Sequence, residues 1–106
     1  MTDLYYYVYI VECSDGFYYT GVTNDVEHRL WEHNEGIHPE SFTYKPRPVV
    51  LKYYERFQWI QKAIDWEKQI KGWSRKKKEA LFVQDWNEIV RLSNLKKNNQ
   101  SSTSSD

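Results

Sequence analysis

The run YYYVYIVECSDGFYYTGVTND, residues 5 to 25, constrains the fold more than any other part of the chain. Residues 5 to 13 are strongly β-prone and apolar on both alternating faces, which suits a central strand covered on its two sides. Ser14-Asp15-Gly16 is a hairpin turn signal, and residues 17 to 22 form the returning strand. With residues 14 to 16 as the loop, antiparallel pairing sets Val11 opposite Tyr19 and Tyr9 opposite Gly21. Tyr9 and Tyr19 then share one face as diagonal neighbours. Gly21 is expected to leave that face open beside Tyr9, where a ligand could approach the sheet. Six of the nine tyrosines lie in this hairpin, and strand packing alone accounts for most of them.

Beyond the hairpin, Thr23-Asn24-Asp25 supplies cap chemistry for a helix running to about Asn34, with Gly36 as its stop. A loop rich in His, Pro and Ser follows over residues 37 to 47. PVVLKYYE, residues 48 to 55, is a third strand with its prolines confined to the start. Residues 58 to 71 form a second helix ended by Gly72, and Ser74 caps a basic third helix, RKKKEALFVQ. A short amphipathic piece from Asp85 to Leu92 completes an α+β chain. At 106 residues there is material for one core, so residues 1 to 92 are expected to form a single domain and 93 to 106 a disordered polar tail.

The lone Cys13 has no intramolecular disulfide partner, and no Cys/His spacing resembles a zinc site, which points to a reducing compartment. No charged leader precedes an apolar run, and no apolar stretch approaches the roughly 18 residues of a membrane span. The chain is therefore expected to be soluble and cytoplasmic, with no membrane partner. Its zero net charge hides two opposite halves: residues 1 to 43 hold eight acids and one base, while residues 44 to 106 hold fourteen bases and seven acids. Such asymmetry suits a basic face for a polyanion, although a solvated helix surface explains most charge runs.

Three places could carry chemistry. On the first helix Val26 and Leu30 define the buried stripe, and Arg29 and His33 flank it on the side toward the hairpin. The plainer alternative pairs Arg29 with Asp25 and leaves His33 on the surface. On the second helix Glu67 falls within an apolar arc of Ile60, Ala63, Ile64 and Ile70, so its carboxylate needs a hydrogen bond, an ion pair, for instance with Arg29, or a metal. One carboxylate completed by waters and a substrate phosphate is a common magnesium arrangement. Lys68, Lys71, Arg75, Lys76, Lys77 and Lys78, with Trp66 and Trp73 nearby, form a candidate phosphate-contacting surface, although a basic helix serving only solubility fits as well. Trp59 and Trp66, at helical spacing, suit the core better than base stacking.

Taken in order, Tyr7-Val8-Tyr9, then Tyr19-Thr20-Gly21, Arg29 and His33 on one helix and Glu67 on a later one resemble the GIY-YIG nuclease superfamily. The similarity covers roughly residues 4 to 92 and is greatest to the small stand-alone bacterial branch, with GVTNDVEHRLWEH and AIDWEKQIKGWSRKKKEAL as signature-like stretches. The resemblance implies a small three-stranded antiparallel sheet flanked by helices and a site that cleaves phosphodiesters. It makes Tyr9, Tyr19, Arg29 and His33 the catalytic matches, Glu67 the metal-binding match and Gly21 the closing glycine of the second motif. Two positions depart from the pattern: Tyr7 stands where the first motif has Gly, and Val22 stands where some members carry lysine. No counterpart is found for the C-terminal asparagine of some members.

The implied chemistry is Mg²⁺- or Mn²⁺-dependent hydrolysis of DNA, with RNA left open as a substrate. Arg29 would bind non-bridging oxygens through its planar fork, and Glu67 would hold the cation. Tyr9 is the leading general base, its pKa brought down by Arg29 and the cation, with Tyr19 orienting water or phosphate; the two roles are exchangeable. Without the lysine, His33 or Tyr19 would support the base. Two competing classes are a DNA-binding module of the same fold without cleavage and an interaction domain whose tyrosines are all core. Structure selectivity, in repair or recombination, or a partner protein would direct the enzyme, and exposed aromatics leave monomer and weak dimer both open.

Overall fold

A computed structural model describes residues 4 to 40, 43 and 45 to 103, with side chains described through Leu95. The hairpin forms as its residue pattern dictates. Strand β1, Tyr6–Cys13, turns through Ser14-Asp15-Gly16 into β2, Tyr18–Thr23. Gly16 takes φ of 90° and its N–H donates to the Cys13 carbonyl at 2.8 Å. That left-handed conformation is one glycine adopts without Cβ strain. Val11 pairs with Tyr19 and Tyr9 with Gly21, the register anticipated from the loop length.

Strand β3, Val49–Phe57, runs antiparallel along the other edge of β1, so the sheet order is β2-β1-β3. Ile10 pairs with Tyr53 but Val11 with Leu51, leaving Lys52 as an extra residue in β3. Such a bulge reverses the alternation of the strand that carries it. Val49 and Leu51 therefore join the face of Tyr9, Val11 and Cys13, while Tyr53 joins the opposite face with Val8 and Ile10.

Each face receives one helix. Helix α1, Val26–Glu35, is capped by Asp25, whose carboxylate accepts from His28 N–H at 3.0 Å, and ends at Gly36 with φ of 70°. Its Leu30 packs on Tyr9, Val11, Cys13 and Val49. Helix α2, Ile60–Lys71, buries Ala63 and Ile70 and donates the Trp66 indole N–H to the Tyr53 hydroxyl at 3.1 Å, which places it on the other face. Burial of two such faces supplies the main drive for folding at about 25 cal/mol per Å² of apolar surface.

The chain groups into two compact units, Met1–Gly72 and Trp73–Asp106. The second holds α3, Arg75–Phe82, and α4, Trp86–Thr103. Ser74 caps α3 by accepting from Lys77 N–H at 3.2 Å. Helix α4 reaches Thr103 along the polar C-terminal residues; residues 104 to 106, the end of the expected polar tail, lie outside the described ones. None of the described helices is long and apolar enough to cross a membrane.

Candidate active site

The ring of Tyr9 crosses the sheet and lies over Gly21, where an added Cβ would sit 2.6 Å from the Tyr9 hydroxyl oxygen. The space that Gly21 creates is thus filled by Tyr9, which corrects the expectation of an opening for a ligand. Tyr9 is only 2 % exposed. Its hydroxyl lies 2.9 Å from His33 Nε2, and the Arg29 charge acts on it. His33, one helical turn beyond Arg29, is 8 % exposed rather than on the surface, and its Nδ1 lies 2.7 Å from Oγ1 of Thr43, itself 1 % exposed. Tyr19 closes the group, its ring centroid 5.4 Å from that of His33 and 6.3 Å from that of Tyr9. Tyr9, Tyr19, Arg29 and His33 therefore meet at one place.

Electrostatics there differ from expectation. The Tyr9 phenol is pushed up to about 12, first by burial and then by Tyr19, while Arg29 pulls it down and Glu32 adds a smaller upward push. Arg29 does act in the anticipated direction, but the loss of solvent around a charged phenolate outweighs it. Burial also holds the His33 imidazolium pKa below its ordinary 6.5; Arg29 and His38 push the same way and Glu32 opposes them. His33 is accordingly neutral at pH 7.

Arg29 does not pair with Asp25, whose carboxylate caps α1; it pairs with Glu32, Nε to Oε1 at 3.1 Å. The same carboxylate lies 3.4 Å from His28 Nε2 and 3.9 Å from His38 Nε2. Glu67 is mostly buried on α2 and pairs with Lys71, Oε2 to Nζ at 2.8 Å, rather than with Arg29. The Lys71 pKa is raised, first by its hydrogen bond to Glu67; burial opposes this, and the charges of Glu67 and Tyr19 add to it. Among the described residues there is no group of three His, Cys, Asp or Glu suited to a metal ion. A lone carboxylate fits magnesium only in the arrangement completed by waters and substrate phosphates.

The basic candidates divide between the two units. Lys68 is exposed on α2, and Lys71 is engaged by Glu67. In the second unit Arg75 pairs with Glu79 at 3.2 Å and Lys77 sits 4.3 Å over the Trp73 ring; Lys76 is exposed and Lys78 half-buried. Trp59, expected in the core, is 65 % exposed at the N-terminus of α2, whereas Trp66 is half-buried against Tyr53. A cleft of about 510 Å³ on the Tyr9 face of the sheet is walled by Tyr7, Tyr54 and the first turn of α1, and none of the anticipated site residues lines it.

Sequence reasoning missed Glu32 and Thr43. Glu32 was within reach, since it stands three residues after Arg29 and four after His28. Thr43 sits in the loop before β3, and nothing in its spacing signals contact with His33.

A β2-β1-β3 antiparallel sheet with one helix on each face is the architecture that the GIY-YIG resemblance implied. Residues 5–80 match the family model described as the GIY-YIG catalytic domain, and the chain belongs to this family. It is 47 % identical over 77 residues to a UPF0213 protein of Halobacterium salinarum, covering 73 % of this chain and 99 % of that one. A UPF0213 protein of Bacillus pumilus is 40 % identical over 80 residues, covering 76 % of this chain and 80 % of the relative. Two solution NMR structures are similar. UPF0213 protein BH0048 of Bacillus halodurans has TM-score 0.50 and 38 % identity, over 76 % of this chain and 85 % of that one. Protein EF2693 of E. faecalis has TM-score 0.54 and 33 % identity, over 78 % and 86 %.

Proposed function

We propose that this chain is a divalent-metal-dependent endonuclease that hydrolyses DNA phosphodiester bonds. The observation that carries this reading is the hydrogen bond between the Tyr9 hydroxyl and a neutral, buried His33, made beside Arg29 and Tyr19. A phenol with its pKa near 12 is a poor terminal base, so Tyr9 serves as a relay. As it takes a proton from the attacking water it passes its own to His33 Nε2, and the positive charge ends on the imidazole. Arg29, its Nε held by Glu32, directs the rest of its guanidinium at the non-bridging oxygens, where negative charge grows. Tyr19, half-exposed on the same sheet face, orients water or phosphate.

Glu67 is the residue that would hold Mg²⁺ or Mn²⁺, which when bound supplies charge neutralisation at the phosphate and leaving oxygen. Glu67 would have to give up its ion pair with Lys71 to hold the cation, and the Lys71 ammonium would then be free to contact phosphate. Lys68, Arg75, Lys76, Lys77 and Lys78 supply further backbone contacts to the nucleic acid. Branched and flapped DNA, as arises in repair or recombination, is the favoured substrate class. The test is nicking of supercoiled plasmid, flapped DNA and matched RNA with Mg²⁺, Mn²⁺ or EDTA, by wild type, Glu67→Ala and Arg29→Ala. Metal-dependent nicking lost in both variants is the expected result, and equal residual activity in all three would mean contamination. The Glu67–Lys71 ion pair favours a second reading, binding without cleavage, which the same assay separates as salt-sensitive retention of DNA with no turnover.

A further inference from the structure

We infer that Thr43 is the positioning residue that fixes the tautomer of His33 and so makes its Nε2 an acceptor for the Tyr9 proton. This deepens the nuclease reading and rests on it only for its catalytic consequence. The inference follows from counting donors and acceptors along one buried chain of groups. The Tyr9 phenol has one O–H proton to place, and its hydrogen-bond partner is the His33 ring. With Tyr9 2 % exposed, that proton needs an acceptor inside the protein, and His33 Nε2 at 2.9 Å provides one. A neutral imidazole that accepts at Nε2 carries its proton on Nδ1. Nδ1 lies 2.7 Å from Thr43 Oγ1, so the hydroxyl accepts from Nδ1–H.

The chain therefore reads Tyr9 to His33, His33 to Thr43, with both donors pointing the same way. If the tautomer were reversed, Nε2–H would donate to the phenolic oxygen, and the buried phenolic proton would lose the acceptor that Nε2 provides. That arrangement also could not receive a proton from Tyr9. Thr43 touches neither the phenol nor a reacting atom, so its effect passes through His33 alone. The loop between α1 and β3 thus contributes to the site from well outside the sequence motifs that define it.

The direct test is the ¹⁵N pattern of the His33 ring in the full chain at pH 8, read through two-bond couplings to the ring protons. Wild type is expected to show the Nδ1–H form. Thr43→Val, nearly isosteric, is expected to lose that form in favour of Nε2–H or a mixture, and to lose nicking by roughly 10- to 100-fold. Thr43→Ser, which keeps the hydroxyl, is expected to restore both. The inference is overturned if wild type shows Nε2–H, if Thr43→Val keeps the wild-type ring pattern, or if folded Thr43→Ser behaves like Thr43→Val. Should Thr43→Val fail to fold, the wild-type and Thr43→Ser spectra decide. A protein with the expected ring patterns but no nicking would refute the nuclease reading while upholding the role of Thr43 toward His33.

Discussion

Tyr9 and Gly21 face each other across the hairpin, and the phenol of one occupies the space where a side chain of the other would stand. Gly21→Ala would bring a methyl within 2.6 Å of the hydroxyl oxygen and 2.8 Å of the ring carbon that bears it. The ring has to turn away, and its bond to His33 goes with it. The expected cost is about 1 to 3 kcal/mol of overpacking, measured as a lower urea midpoint at unchanged slope. Nicking should fall in step, since the relay is broken without touching any of its members.

Tyr9→Phe and Tyr19→Phe separate the two phenols. Removing the buried hydroxyl of Tyr9 strands His33 Nε2 without its donor, at a cost of about 1 to 3 kcal/mol, and should lower the single-turnover rate by roughly 10²- to 10⁴-fold. Tyr19→Phe, at a half-exposed position, should leave the urea midpoint near wild type while raising the KM for DNA. Interchanged results would exchange the two assignments.

His33 makes stability depend on pH with a definite sign. Its folded pKa lies below the ordinary 6.5, so between those two values the unfolded chain binds a proton that the folded one does not. Its share of stability is fully present above pH 6.5 and is lost as pH falls from there through the folded pKa. Urea midpoints taken from pH 8 downward should decline over that window, and His33→Leu should flatten the decline. The groups facing His33 are Tyr9, Tyr19, Arg29, Glu32 and His38, and comparison in a His38→Gln background isolates the contribution of His33. Activity should have its acid limb below pH 6.5 for the same reason.

Lys71 holds the carboxylate of Glu67, the residue proposed to bind the cation. Lys71→Met should therefore tighten Mn²⁺ binding by up to roughly fivefold, matching at most about 1 kcal/mol for a partly exposed ion pair. Electron paramagnetic resonance titration would measure it. Glu67→Gln should abolish the binding with a stability change within about 1 kcal/mol.

The parts of the molecule legible in the sequence are those governed by local rules. Hairpin register followed from the length of the Ser14-Asp15-Gly16 turn, and Asp25, Gly36 and Ser74 marked helix ends by their capping chemistry. Strand alternation put Tyr9 and Tyr19 on one face and helical spacing put Arg29 beside His33, whereas the grouping of all four was implied by the resemblance to the GIY-YIG superfamily. Contacts between distant segments were less accessible. Thr43 reaches His33 through a loop with no periodicity, and Glu67 found its partner one turn away instead of at Arg29. The direction of the Tyr9 pKa was misjudged because burial, which depends on the assembled core, outweighed the single nearby charge that spacing reveals.

The extra residue in β3 has a consequence for how this strand tolerates change. Lys52 works as a phase shift, letting Val49 and Leu51 serve the α1 side while Tyr53, only two positions on, serves the α2 side. Substitution of Lys52 leaves the pairing on either side of it intact. Deleting Lys52 would close the ladder with Leu51 still opposite Val11 and Tyr53 opposite Ile10, so both faces would keep their residues and only the local bend of β3 would be lost.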